Sequence, residues 1–321
     1  MLRLFKKSSF QILFFCLLAS CTHFVYQNFT AFDNEPLHIQ TLALFNQEKN
    51  PPEPFKPWNG DWYFRRQRLS LIDDVLTETK PHLILFSEVM TKNSSDSDIA
   101  ILRTRSLSHQ DVLNSLVRQH PFTGESEYLA ISFGVPIQFS DTHRMFFTHH
   151  LDREGFVMQI LLQHENQDFV VFNVQMSEKS DKKISFAELS KLIGSALTEQ
   201  GLCKKRIVLA GSFLGSGADP DYLTFLKEWD LKDSALFCDV VTKCYTQTPE
   251  NKIFSKTHGE VYPQRTNRII THQDSIIHSS QRTLNQPQRD PHEVGKPFGL
   301  SELWPTEKYG WSTHLTLPRC H

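Results

Sequence analysis

The sequence predicts a mixed α/β sandwich, and three observations carry that expectation. Short apolar runs alternate with segments of helical periodicity along the chain. Two of those runs, "FVMQILLQ" and "FVVFNVQ", are separated only by the polar stretch "HENQD", which is too short for a crossover helix and reads as a hairpin turn. A wholly parallel sheet is therefore excluded. The third is bulk: 321 residues, 39% hydrophobic and 22% charged, supply a sizeable core.

Taken in order, "IQTLALF" (Ile39 to Phe45) reads as a buried strand, and the proline-rich "KNPPEPFKPWNGDW" as a surface loop. Leu69, Ile72, Val75 and Leu76 recur at helical spacing and predict a helix over 65–79, with Arg65, Arg66 and Arg68 reading as its solvated start rather than as contacts to a phosphate or acidic lipid. Pro81 stops it before the strand "HLILF" (82–86). A second helix is expected near 109–119, then the strand "YLAISF" and the hairpin. A helix follows over 183–200, a strand over 206–210, and a helix over 219–229 opened by Asp219-Pro220. Shorter strands are expected at 238–246, 268–278 and 313–317.

The formal charge of −2 gives no global signal for nucleic acid. The 15 histidines include no metalloprotease-like spacing. The N-terminus reads as a targeting segment. Arg3, Lys6 and Lys7 precede the apolar "FQILFFCLLAS". Leu18-Ala19-Ser20-Cys21 resembles the lipobox of bacterial lipoproteins, which implies a leader over 1–21, diacylation of Cys21 and a tether over 22–36. Thr22 in the following position favours the outer membrane of a Gram-negative envelope. Acyl chains anchor a protein without a spanning helix. Cys203, Cys238, Cys244 and Cys320 then remain in an oxidising compartment. Four cysteines allow three pairings; Cys238 and Cys244 are close enough for a local bridge.

The strand ends carry a resemblance. In order they read "FNQ" with Asn46, "LFSEV" with Glu88, "YLAISFGVPI", "VVFNVQMS", "VLAGSFLGS", "NRIITHQ" and "YGWSTHLTL". This succession resembles the endonuclease/exonuclease/phosphatase superfamily, with a lean toward its sphingomyelinase-like branch. The resemblance implies a single domain over 37–321, built as a four-layer α/β/β/α sandwich of two mixed sheets. It implies metal-dependent phosphoester hydrolysis, usually with Mg²⁺, in which a Glu at the position of Glu88 binds the metal and an Asn at that of Asn46 sits beside it.

The departures from that pattern are many. Asn173-Val174-Gln175 has Gln where the family has a phosphate-contacting His. Gly211-Ser212-Phe213-Leu214 has Ser and Leu for the Asp and Asn of its G-D-F-N turn. Ile270 stands where a metal-side Asp is common. Ser312-Thr313-His314 has Thr for the Asp that pairs with the final His. His314 is left as a weak or vestigial catalyst, with Asn46, Asn173, Gln175, Ser212 and Thr313 as pocket lining. Asp219 and Asp274 are candidate substitutes, Asp219 reading more naturally as a helix cap.

The expectation is an envelope lipoprotein, weakly active or inactive as a hydrolase, that binds a phosphate-ester or phospholipid ligand. The alternative is an active metal-dependent phosphodiesterase, sphingomyelinase-like or nuclease-like, with Mg²⁺ or another divalent cation.

Overall fold

A computed structural model describes residues 36–44, 65–91, 97–119, 126–140, 146–152, 155–177, 180–199, 201–215, 217–237, 245–246, 266–284, 288–289, 302–303 and 310–320. Its elements are β1 (Leu37–Ala43), α1 (Arg65–Thr79), β2 (Leu83–Thr91), α2 (Asp98–Leu102), β3 (Asp111–Gln119), β4 (Ser126–Phe133), β5 (Gln138–Phe139), β6 (Phe146–Leu151), β7 (Gly155–His164), β8 (Gln167–Gln175), α3 (Lys182–Glu199), β9 (Ile207–Ser212), α4 (Pro220–Glu228), β10 (Leu231–Asp233), β11 (Asn267–His272), β12 (Ile276–Thr283), β13 (Gln288–Arg289), β14 (Glu302–Leu303) and β15 (Gly310–Thr316).

Two mixed sheets form. One runs β12-β15-β1-β2-β4-β3; the other runs β10-β11-β9-β8-β7-β5, with β6 also on β7. The pairs β1–β2 and β8–β9 are parallel. Alternation along each strand sorts its side chains. Leu37, Ile39, Leu83, Leu85, Met158, Ile160, Val171, Val208 and Ile269 fill the space between the sheets. The opposite face of the first sheet (Leu42, Ile84, Phe86) meets Leu69, Ile72 and Leu76 of α1 and Ile99 and Leu102 of α2. The opposite face of the second (Val170, Phe172, Leu209) meets Phe186, Leu189 and Ile193 of α3 and Tyr222 and Phe225 of α4. The result is the expected four-layer α/β/β/α sandwich. Burying a side chain such as Leu69 or Ile193 contributes about 1.5–3 kcal/mol, so these layers dominate the stability.

Local signals explain several elements. Glu165 and Asn166, at the β7–β8 turn, both hold positive φ (56° and 58°), as the tight turn of a two-residue hairpin requires. Asp219 caps α4, its carboxylate accepting from the Asp221 and Tyr222 amides, with Pro220 in the first turn.

Three expectations are corrected. Residues 111–119 form strand β3, not a helix. Val112, Leu113, Leu116 and Val117 mimic helical spacing, and as an edge strand half-covered on both faces β3 lacks clean alternation. Arg68 is buried at 4% exposure rather than solvated; the side chains of Arg65 and Arg66 lie outside the described ones. The stretch 268–278 is two strands, β11 and β12, around a turn at 273–275.

Cys203 pairs with Cys320, closing the C-terminal tail onto the loop before β9. The adjacent Arg206 is buried and donates to the carbonyls of Asp168, Pro318, His164 and Gln167. Cys21, Cys238 and Cys244 lie outside the described residues, as do the leader and tether. No helix among the described residues is long and apolar enough to cross a membrane.

Candidate functional site

The C-terminal ends of β1, β2, β8 and β9 gather at one end of the sandwich. The inward face there turns from apolar to polar. On β8 the series Phe169, Val171 continues as Asn173 and Gln175; on β9 Val208, Ala210 continues as Ser212; on β2 Leu83, Leu85 continues as Ser87. All four polar residues are buried.

Two amides tie the sheets together at this end. Asn173 Nδ2 donates to the carbonyls of Phe86 (2.8 Å) and Ala130 (3.0 Å). These carbonyls flank the register shift where Ser87 and Glu88 bulge out of the β2–β4 ladder. Glu88 takes φ = 58° there and is 5% exposed. Gln175 Nε2 donates to Glu127 Oε1 at 2.6 Å, while Arg118 Nε donates to Glu127 Oε2 at 2.6 Å. Glu127, wholly buried, is thereby neutralised by an ion pair and a neutral donor.

The turn after β9 has a steric explanation. Gly211 takes φ = 128°, and a Cβ there would lie 2.0 Å from the Val174 carbonyl oxygen of β8. Only glycine fits this approach. Ser212 faces inward opposite Asn267 of β11 and Gln175 of β8. Phe213 and Leu214 point outward into the α3–α4 layer, so Leu214 is a core residue and offers the site no polar atom.

His314 lies elsewhere. It pairs with His38 near the start of β1, whereas Ser87 pairs with Ala43 at the end of that strand. Five residues of strand separate the two rungs, about 17 Å. The His314 ring stacks on His38 at 4.1 Å, and its Nδ1 is hydrogen-bonded to Ser279 Oγ. Thr313 points the other way, into the interior, hydrogen-bonded to Ser234 and Ser280. Consecutive strand residues face opposite sides, so positions 313 and 314 cannot form a pair on one face. The expected convergence of Glu88 with His314 and Thr313 does not occur, because β15 already begins at Gly310 and carries both residues past this end.

That opposite end holds its own group. Burial, then His314 and His82, push His38 down to about 4. Burial, then Arg206, push His164 down to about 4. Asp274 sits there too, in the turn after β11 and ion-paired with Lys205 at 2.7 Å. Asp219 is occupied as the α4 cap and by Lys182 at 2.8 Å. Neither carboxylate substitutes at the Glu88 end.

Of the expected site residues, the structure brings together Asn173, Gln175 and Ser212, with Glu88 on the adjoining bulge of β2; Asn46 lies outside the described residues. Glu127, Arg118 and Asn267 escaped the sequence reading. A signal for Glu127 existed: counting back by two from Phe133 through Ile131 and Leu129 puts it on the inward face. Among the described residues no three His, Cys, Asp or Glu side chains form a metal-holding group, and Glu127 is already neutralised.

The fold has many solved counterparts. A mannosyl-6-phosphatase from Bacteroides thetaiotaomicron superposes with a TM-score of 0.63 at 13% identity, over 88% of this chain and 100% of that one. An endonuclease/exonuclease/phosphatase family protein from the same organism gives 0.63 at 14%, over 88% and 98%. D. rerio TDP2 complexed with a single-strand DNA product gives 0.60 at 10%, over 88% and 99%. The fold is that of the endonuclease/exonuclease/phosphatase proteins. No protein-family model and no curated protein matches the chain.

Within that fold, the end bearing Glu88 also holds a neutralised carboxylate, two amides committed to the protein, and a serine. The geometry can accept hydrogen bonds and hold shape. Among the described residues it shows no base paired to a nucleophile.

Proposed function

We propose that this chain is an envelope lipoprotein whose phosphoesterase-type domain acts by binding, with no more than residual hydrolysis. The observation that carries the reading is the register of β15, in which His314 stands opposite His38, about 17 Å along the sheet from the Ser87 rung. A general acid–base group contributes about 10²–10⁴-fold, and groups that act as a unit fail together. Ser212 cannot replace a carboxylate that orients a nucleophile. The envelope assignment is supported by the leader ending in Leu18-Ala19-Ser20-Cys21 and by the Cys203–Cys320 disulfide, a bond that persists in oxidising compartments.

Glu88, retained at the bulge within β2, favours the alternative of a metal-dependent phosphoesterase acting on phosphodiesters, sphingomyelin or DNA. One assay separates the two. The chain from Thr22 onward, oxidised, is incubated with a phosphomonoester, a phosphodiester, sphingomyelin and DNA in Mg²⁺, Mn²⁺ or Ca²⁺, beside Glu88→Ala. Turnover no higher than in Glu88→Ala is the expected result. Metal-dependent turnover that disappears in Glu88→Ala establishes the alternative. Mass spectrometry of the full chain expressed in a Gram-negative host, against Cys21→Ser, tests the lipid: acyl mass on Cys21 and none on the variant is expected.

A further inference from the structure

Helices α3 and α4 lie side by side on the outer face of the second sheet and run in the same direction. The contacts between them climb in step: Lys182 with Asp219 at 2.8 Å, the Phe186 and Phe225 rings at 5.2 Å, and Ser190 with Glu228 at 3.3 Å. Phe186 and Phe225, both buried, floor a groove between the helices. Lys183 and Lys191 stand on its α3 wall, Asp221 and Glu228 on its α4 wall. The outer shoulders of the two helices carry a second row. On α3 it is Ile184 and Glu188, on α4 Leu223 and Lys227, each pair four residues apart and so stacked on one face. Ile184 is 48% exposed and Leu223 49%, two large apolar side chains left in water on adjacent helices.

The two helices therefore carry opposite signs row for row. The groove-side row is basic on α3 and acidic on α4. The outer row is apolar then acidic on α3, and apolar then basic on α4. A face patterned in this way is complementary to a copy of itself. A twofold axis parallel to the helices lays α3 of one copy over α4 of the other, in step with it. Lys183 then meets Asp221, Lys191 meets Glu228, Glu188 meets Lys227 and Ile184 meets Leu223, and each contact occurs twice. A twofold axis across the helices instead lays α3 on α3 and sets Lys183 against Lys191, which repels. We propose that the α3–α4 face is a homodimer interface, formed by a second copy of this chain about a twofold axis parallel to the two helices. Lys191 pairs with Glu188 of its own helix at 2.7 Å, yet its side chain stays 71% exposed and can take a second carboxylate. The lysine stems cover the aromatic floor while their charges reach the partner. Because α4 supplies only nine residues, about 13 Å of helix, the overlap is small and its ion pairs are screened by salt, so the dimer is weak and salt-sensitive.

The test is sedimentation equilibrium of the oxidised chain from Thr22 onward, in about 0.05 M and about 0.5 M NaCl. A reversible dimer is expected at low salt, with a dissociation constant that rises several-fold at high salt. Lys183→Glu and Asp221→Lys each oppose like charges twice in a homodimer, and each should raise the dissociation constant by roughly tenfold or more. Circular dichroism should show both variants folded, since both positions are exposed. Mixing the two variants should restore the dimer. In the mixed pair the two reversed positions face each other with opposite charge, and the two native residues do the same. A role confined to one chain's own stability gives no such rescue. A chain that stays monomeric up to about 1 mM overturns the proposal. A dimer that neither variant weakens has its interface elsewhere and also overturns it. So does a mixture that remains as dissociated as its two components.

Discussion

Gln175 of one sheet donates to Glu127 of the other at 2.6 Å, and this bond decides the character of the candidate site. It spends the amide that could have met a phosphate oxygen. It also completes the neutralisation of a wholly buried carboxylate that Arg118 begins.

Removing that carboxylate should be costly. Glu127→Ala takes from Arg118 and Gln175 the carboxylate they share, and breaking a buried pair from one side costs about 3–5 kcal/mol. Urea denaturation should show a lower midpoint. Replacing all three residues with apolar ones of similar volume should restore much of the loss. A Glu127→Ala midpoint within error of wild type would contradict the network described here.

Acid should destabilise the opposite end. His38 and His164, both held near 4, face His82 and His314, and His82 and Arg206, respectively. Their folded values lie below the unfolded value of 6.5, so the unfolded chain binds more protons in that window. Stability is complete above about pH 6.5 and falls as pH drops toward 4, by about one bound proton per histidine. His38→Gln and His164→Gln should each flatten the slope of unfolding free energy against pH between these values. A slope unchanged in both variants would show that other groups carry the acid response.

Reduction should loosen the tail. The Cys203–Cys320 disulfide spans 117 residues of sequence. Its loss should cost about 2–5 kcal/mol, chiefly through the freed unfolded chain. Cys320→Ser should lower the thermal midpoint, and a reducing agent should lower wild type by at least as much.

Gly211 should tolerate no side chain. With φ at 128° and Val174 O at 2.0 Å from an added Cβ, Gly211→Ala forces β8 and β9 apart. A cost on the order of 4 kcal/mol, or loss of soluble protein, is expected, and a midpoint shift under a tenth of that would refute the close approach.

The sequence alone determined the mixture of helices and paired strands; the four layers were implied by the resemblance. Period-2 and period-3.6 burial patterns are local properties of the chain, so the helix 65–79, the β7–β8 hairpin and the Asp219 cap are visible without any tertiary contact. Glu88 was singled out by the resemblance, not by periodicity; the strand expected over 82–86 runs on past it to Thr91. Where burial is two-sided or partial the pattern fails, and the edge strand β3 then passes for a helix.

Tertiary structure decided the rest. Whether His314 belongs to the site depends on how far β15 slides along β1, and a shift of a few residues moves a side chain by more than 10 Å (~3.3 Å per residue) while leaving the motif intact as text. Whether Gln175 presents a donor or an acceptor depends on Glu127, 48 positions away and on the other sheet. Which cysteines meet depends on where the C-terminal tail lies beside Arg206. Residue types and local periodicity are written along the chain; strand register and the direction an amide faces are set only when the two sheets close on each other.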